Sequence, residues 1–140
     1  MAEEQGSECK IRKAESRDLE GIAELLTVAG LCRREGLIPR LEYMLRNSPG
    51  LCLVAERHDK VIGTILGSYN GFHVLLSHVA SDNSGSRAGI GGKLHHAFAQ
   101  QASALGAVGI IADSWLTAAG FFYKLGYRIP GAVFLIKDLA

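Results

Sequence analysis

No stretch of this chain approaches the roughly 20 consecutive apolar residues that a membrane-spanning helix needs. Its first residues, MAEEQGSE, are acidic and polar where a secretion signal is basic and then apolar. Neither sign of charge is in excess, since 15 Lys and Arg stand against 14 Asp and Glu for a net charge of +1. No global field therefore draws the chain to nucleic acid or to an anionic membrane, and any anion site has to be local. Cysteine is sparse: Cys9, Cys32 and Cys52 are far apart and odd in number, with no C-x-x-C pair and no Cys/His ligand spacing. No metal site and a reducing compartment are the expectation, and with them a soluble, cytoplasmic protein. There is no internal repeat and no low-complexity segment. A length of 140 residues suits one domain with a real core, expected over residues 9–140 after a frayed tail at 1–8.

Hydrophobic periodicity orders that domain. CKIRKAE reads as a short strand, and Ser16 as the N-cap of a helix whose face is Leu19, Ile22, Leu26 and Ala29, closed by Gly30. After the basic link LCRREG, Pro39 sits in the first turn of a second, shorter helix with Leu41, Met44 and Leu45 on one face. LCLVAE and KVIGTILGS flank the turn RHD as a hairpin, and YNG leads into a third run, FHVLLSHVA. Ile90, Leu94, Ala97, Phe98, Ala102 and Leu105 mark a strong helix with Gly106 beyond its end. VGIIAD reads as a short buried strand, SWLTAAGFFYKL as a helix closed by Gly126, and GAVFLIKDL as a last strand. This β-α-α-β-β-β-α-β-α-β order predicts an α/β (α+β) fold, a mixed sheet with helices on both faces.

The chemistry-bearing stretch is SGSRAGIGGKL, from Ser84 to Leu94, between a predicted strand and the start of the strongest predicted helix. Unpaired N–H groups and the helix dipole favour an anion there. It fails the dinucleotide fingerprint, which would need glycine at Leu94. It also fails the triphosphate loop, whose first glycine would fall on Arg87 and whose Ser or Thr on Leu94. A strand, a glycine-rich turn and a helix with Lys93 in its first turn remain.

HVASDNSGSRAGIGGKL resembles the coenzyme A pyrophosphate loop of the GNAT acyltransferase superfamily, whose pattern R/Q-x-x-G-x-G/A opens a helix after the fourth strand. Gly89, Ile90 and Gly91 fall on the family's G-x-G, Ser86 on its Arg or Gln, and Lys93 and Leu94 on a basic and apolar pair. VAERHDKVIGTILGSYNG is similar to the family's second and third strands, and AAGFFYKLGY to its A-x-G-F-Y-x-K-L-G-F segment. The likeness spans about residues 9 to 138 and implies a GNAT-type mixed, mostly antiparallel central sheet with acetyl-CoA as acyl donor. It places the donor on the main chain of Val79, Ala80 and Ser81 and on Ser86, Arg87, Ala88, Gly89, Ile90, Gly91, Gly92 and Lys93. Successive backbone N–H groups do most of that work, and Arg87 is in a position to return the charge that Ser86 lacks.

The implied reaction moves an acetyl group directly to a primary amine of a small molecule or protein in a ternary complex. It needs a base for the amine and a proton for the departing thiolate. His78, beside the implied reaction centre, is the candidate base, with a histidine simply packed in a sheet as the alternative. The family's proton-donating tyrosine aligns with Phe122, leaving Tyr123 or a solvent proton for that role. Asp113 ends a strand and either faces substrate or caps a helix. Arg33 and Arg34 lie in the implied acceptor-facing link or are simply solvated. His95 and His96 read as a solvated helix face and its flank. A coenzyme A-binding sensor module without turnover is the rival reading, and a homodimer is the base-rate assembly.

Overall fold

The computed structural model describes residues 9–82, 89–113 and 119–139. Their order is β1 (Lys10–Lys13), a 3-10 turn (Ser16–Asp18), α1 (Leu19–Val28), α2 (Leu37–Asn47), a second 3-10 turn (Pro49–Leu51), β2 (Cys52–Arg57), β3 (Lys60–Tyr69), β4 (His73–Ser81), α3 (Ile90–Ala104), β5 (Gly109–Ala112) and α4 (Ala119–Lys124). One sheet runs β1-β2-β3-β4-β5, antiparallel except for the parallel β4–β5 pair. Ser86, Arg87 and Ala88, and the indole of Trp115, lie outside the described residues.

Strand alternation divides the core into two. Cys52, Val54 and Leu66 face α1 and α2, where Ile22, Leu26 and Leu41 pack on them. Leu53, Ile65, Val74 and Leu76 face the other way, against Ile90, Leu94 and Phe98 of α3 and Phe122 of α4. Each such side chain contributes about 1.5–3 kcal/mol by leaving water. The helix α3 lies directly on the β3 backbone, because two glycines there leave no room for a side chain. A Cβ on Gly67 would stand 2.5 Å from both the Leu75 carbonyl oxygen and Phe98 Cζ, and one on Gly63 2.8 Å from Ile90 Cγ2.

Ser16 does not cap α1. The Glu15 N–H donates to Asp18 Oδ2 at 2.8 Å, and the Asp18 N–H to the Glu15 carbonyl at 2.9 Å, which winds Ser16 into the 3-10 turn. Asp18 prevails because its carboxylate also takes both guanidinium nitrogens of Arg12, at 2.8 and 2.9 Å, and Arg12 reaches on to Glu56 at 3.0 Å. Burial pushes the Asp18 carboxyl up, but the Arg12 and Glu15 hydrogen bonds more than reverse this and hold it below its usual range. The network ties β1, β2 and the start of α1 together.

The predicted last strand is not formed. Gly131 takes a left-handed φ of +80°, and the run after it makes no ladder, with Val133 79% and Leu135 84% exposed. Strand-forming residues prefer a pleated, half-covered surface, and without a partner strand that preference has nothing to act on. His95 also departs from the sequence reading, being 8% exposed. It lies one residue beyond Leu94 on the inward side of α3, where its Nε2 meets the Tyr127 hydroxyl at 2.7 Å. Burial pushes the Tyr127 hydroxyl up to about 12 and holds the His95 imidazole below its ordinary value.

Two predictions follow from this packing. Gly67→Ala should destabilise by about 1–3 kcal/mol through overpacking, whereas Gly120→Ala, where nothing lies within 4 Å of the new Cβ, should be neutral or stabilising by up to about 1 kcal/mol; denaturant midpoints read both. Because the folded His95 binds a proton less readily than the unfolded chain, its contribution is complete above pH ~6.5 and is lost as pH falls below that. His95→Gln should therefore flatten the part of the stability-against-pH curve just below 6.5, and leave the carboxylate-driven loss at lower pH in place.

Candidate active site

The site grows out of an irregularity in β4. Leu66 of β3 pairs with His78, yet Gly67 pairs with Leu76, so Ser77 is an extra residue, a bulge. Val74 and Leu76 face the α3 side. Without the bulge His78 would follow them; with it, His78 pairs with Leu66 and shares that residue's α1–α2 side. The parallel pairing with β5 stops at Leu76 and Ala112. From Ser77 to Ser81, then, β4 has a neighbour on the β3 side, while no strand among the described residues takes the alternate main-chain groups on the other. Val79, Ala80 and Ser81 lie on this open edge.

The bulge also sets the proton on His78. The Ser77 hydroxyl donates its one hydrogen to the Leu66 carbonyl at 3.1 Å, so its oxygen can only accept from His78 Nδ1, 3.0 Å away. That leaves Nε2 without a proton and ready to accept one. Burial holds the imidazole below its ordinary value, with the Asp113 carboxylate pulling weakly the other way, so the ring is neutral at physiological pH. Asp113, exposed just past β5, is thereby within electrostatic reach of His78.

At the far end of the open edge stands the N-terminus of α3. Gly89 caps it in the left-handed conformation at φ 71°, and Lys93 N–H donates back to its carbonyl at 3.3 Å. The N–H groups of Ile90, Gly91 and Gly92 precede the first intrahelical donor and have no hydrogen-bond partner among the described residues, as an anion site requires. Gly92 has nothing within 4 Å of where a Cβ would stand, and Lys93 is exposed. Ile90 packs on Gly63, which pairs with Ser81, so helix terminus and strand end meet. This open terminus beside an unpaired strand edge fits the pyrophosphate and amide-bearing arm of coenzyme A. A cleft of about 690 Å³ lined in part by Gly21, Glu24, Leu25, Val61, Ser81 and Asp82 borders the same end of β4.

The other candidates fall elsewhere. Phe122 is buried, with its ring edge-to-face on Phe121 and Tyr127 at 5.1 and 5.3 Å. Tyr123, about 100° further round the helix, is 50% exposed. Arg34 is paired with Glu20 of α1, and Arg33 is exposed beside it. Ser77 and Tyr127 escaped the sequence reading. A serine in a run of apolar strand residues is a signal for a bulge only once the register of the neighbouring strand is known.

Among known proteins, the family model described as the acetyltransferase (GNAT) family matches residues 19–127. No curated protein matches in sequence. Ard1 from Thermoplasma volcanium is 20% identical with a TM-score of 0.79, over 88% of this chain and 84% of that one. The glucosamine-6-phosphate N-acetyltransferase of Arabidopsis thaliana is 20% identical with a TM-score of 0.73, over 95% and 99%. An aminoglycoside N-acetyltransferase, AAC(6')-Iy in complex with CoA, is 17% identical with a TM-score of 0.78, over 95% and 96%. The structural matches share the fold, and the family match covers most of the chain: the protein belongs to the GNAT family of acetyltransferases.

Proposed function

We propose that the protein transfers an acetyl group from acetyl-CoA directly to a primary amine, on a small molecule or a protein, with donor and acceptor bound together. The observation that carries this reading is the convergence, along the end of β4, of an unpaired strand edge, an open helix N-terminus and a neutral imidazole with a free Nε2. Val79, Ala80 and Ser81 offer main-chain groups to the amides of the pantetheine arm. Gly89 to Lys93, with Ser86, Arg87 and Ala88 before them, offer N–H groups and positive charge to the pyrophosphate. The thioester supplies an activated acetyl group.

His78 Nε2 takes a proton from the acceptor's ammonium, whose charge the Asp113 carboxylate attracts. The neutral nitrogen forms its bond to the acetyl carbon as the carbon–sulfur bond breaks, the sulfur leaves as thiolate, and the acylated nitrogen gives up its second proton to water, leaving the amide. The thiolate takes a proton from Tyr123 or from water, either being adequate because thiols ionise near neutral pH. Arg33 stands as a candidate contact for a charged acceptor. One observation favours a second reading, a coenzyme A-binding sensor without turnover: Phe122, buried and unable to donate a proton, occupies the position where the resemblance calls for tyrosine.

Acetyl-CoA should raise the midpoint of thermal unfolding and bind saturably, and the absence of both would remove the whole assignment. Release of free thiol across an amine panel separates transferase from sensor. His78→Gln should lower kcat by about 10²–10⁴, and the acid limb of the wild-type rate should fall below pH ~6.5, since burial lowers the base's pKa. A limb above that value would assign the proton transfer to another group. Tyr123→Phe should lower kcat at high pH if the phenol protonates the thiolate, and an unchanged rate would assign that proton to water.

A further inference from the structure

The two edges of the sheet are built differently. At one end β1 reads KIRK, three basic side chains in four residues, and charge of this kind guards an edge against further pairing. At the other end β5 reads GIIA, with no charge and no proline, and among the described residues it pairs with β4 alone. Apolar side chains that the fold leaves uncovered flank that free edge: Ile111 is 50% exposed and Val108, just before the strand, 75%. An unguarded strand edge is a template for another strand.

The same chain carries a strand-forming arm with no sheet. Tyr127 is tied to the body by its N–H to the Phe122 carbonyl at 3.1 Å and by its hydroxyl to His95. Beyond it every residue from Arg128 to Leu139 is exposed, so the arm does not return to the β5 edge of its own chain. Between Pro130–Gly131 and Lys137–Asp138 it reads AVFLI, apolar at successive positions and therefore on both faces once extended. That is the composition of a strand covered on both sides, where a half-solvated one alternates. We propose that two copies of the chain exchange these arms about a two-fold axis, residues 132–137 of each adding a strand to the free edge of β5 in the other. Each copy brings one free strand and one free edge, and a reciprocal exchange satisfies both and closes. A different partner on either feature leaves the other unmet. At about 60–120 Å² for each large apolar side chain, the four from Val133 to Ile136 and the surface they cover bring the two contacts to about 1,000–1,900 Å² in total, the range of a specific interface, which starts near 1,000 Å². The exchange uses none of the groups that acetyl transfer uses, so it stands or falls apart from the transferase reading.

The test is the mass of the full chain by sedimentation equilibrium, joined to hydrogen exchange at the backbone amides of residues 132–137. The wild type should sediment at twice the chain mass at micromolar concentration, with those amides protected, and the protection should be lost on dilution to the monomer. Leu135→Pro removes a donor from the arm, and Ile111→Lys puts on the receiving edge the charge that β1 carries. Both positions are exposed, so each variant should keep its far-ultraviolet spectrum and sediment as a monomer. Mixing the two should restore a heterodimer at least about tenfold tighter than either variant with itself, because one intact arm then meets one intact edge. A monomeric wild type overturns the inference, whether its arm amides are protected by docking on their own β5 or exchange freely. A dimer that survives both substitutions, assemblies that grow past the dimer with concentration, or variants that do not complement each other also overturn it.

Discussion

Ser77 is one residue more than β4 needs to keep pace with β3, and that surplus governs the site. It turns His78 from the face it would share with Val74 and Leu76 to the opposite one, and its hydroxyl decides which ring nitrogen of His78 carries the proton. Past the bulge, β4 and β5 no longer pair, so main-chain groups that a regular sheet would use internally are left for a ligand. A bulge locally disrupts the ladder and bends the strand. Here the same irregularity produces the open edge and aims the base.

Such a site needs a stiff support, and the two-sided core provides it. Gly63 and Gly67 let the Ile90, Leu94 and Phe98 side chains of α3 settle onto the backbone of β3, so the position of the α3 N-terminus relative to the end of β4 is set by tightly packed contacts. On the opposite face, the Arg12 network closes β1, β2 and α1 into one unit. Removing one partner from such a partly buried network destabilises the fold, because the charge left behind has lost its compensation.

Much of this was legible before the structure. Helical spacing located α1, α2 and α3, and the turns RHD and YNG delimited three meandering strands. The glycine-rich stretch marked the start of α3, because the left-handed φ at Gly89 favours a residue without a side chain. What stayed hidden depends on pairing across the sheet. The bulge exists only relative to the register of β3, so neither the facing of His78 nor its tautomer can be read from β4 alone. His95 sits at the margin between the two sides of α3, and its burial follows from Tyr127 reaching it across 32 positions of sequence. The last strand was misread because β-propensity measures how a residue fits a partner's surface, and GAVFLIKDL has none among the described residues.

The run Val133 to Ile136 holds four strand-forming side chains in succession, each at least 72% exposed. Segments of this kind, with high β-propensity and no proline, are the raw material of steric zippers between chains. Lys137 and Asp138 follow at once, and they act as gatekeepers, because any in-register stack of the run brings like charges within one strand spacing of each other. Colloidal behaviour is thus tied to ionic strength: salt that screens those charges weakens one local device opposing fibril-like association of this segment.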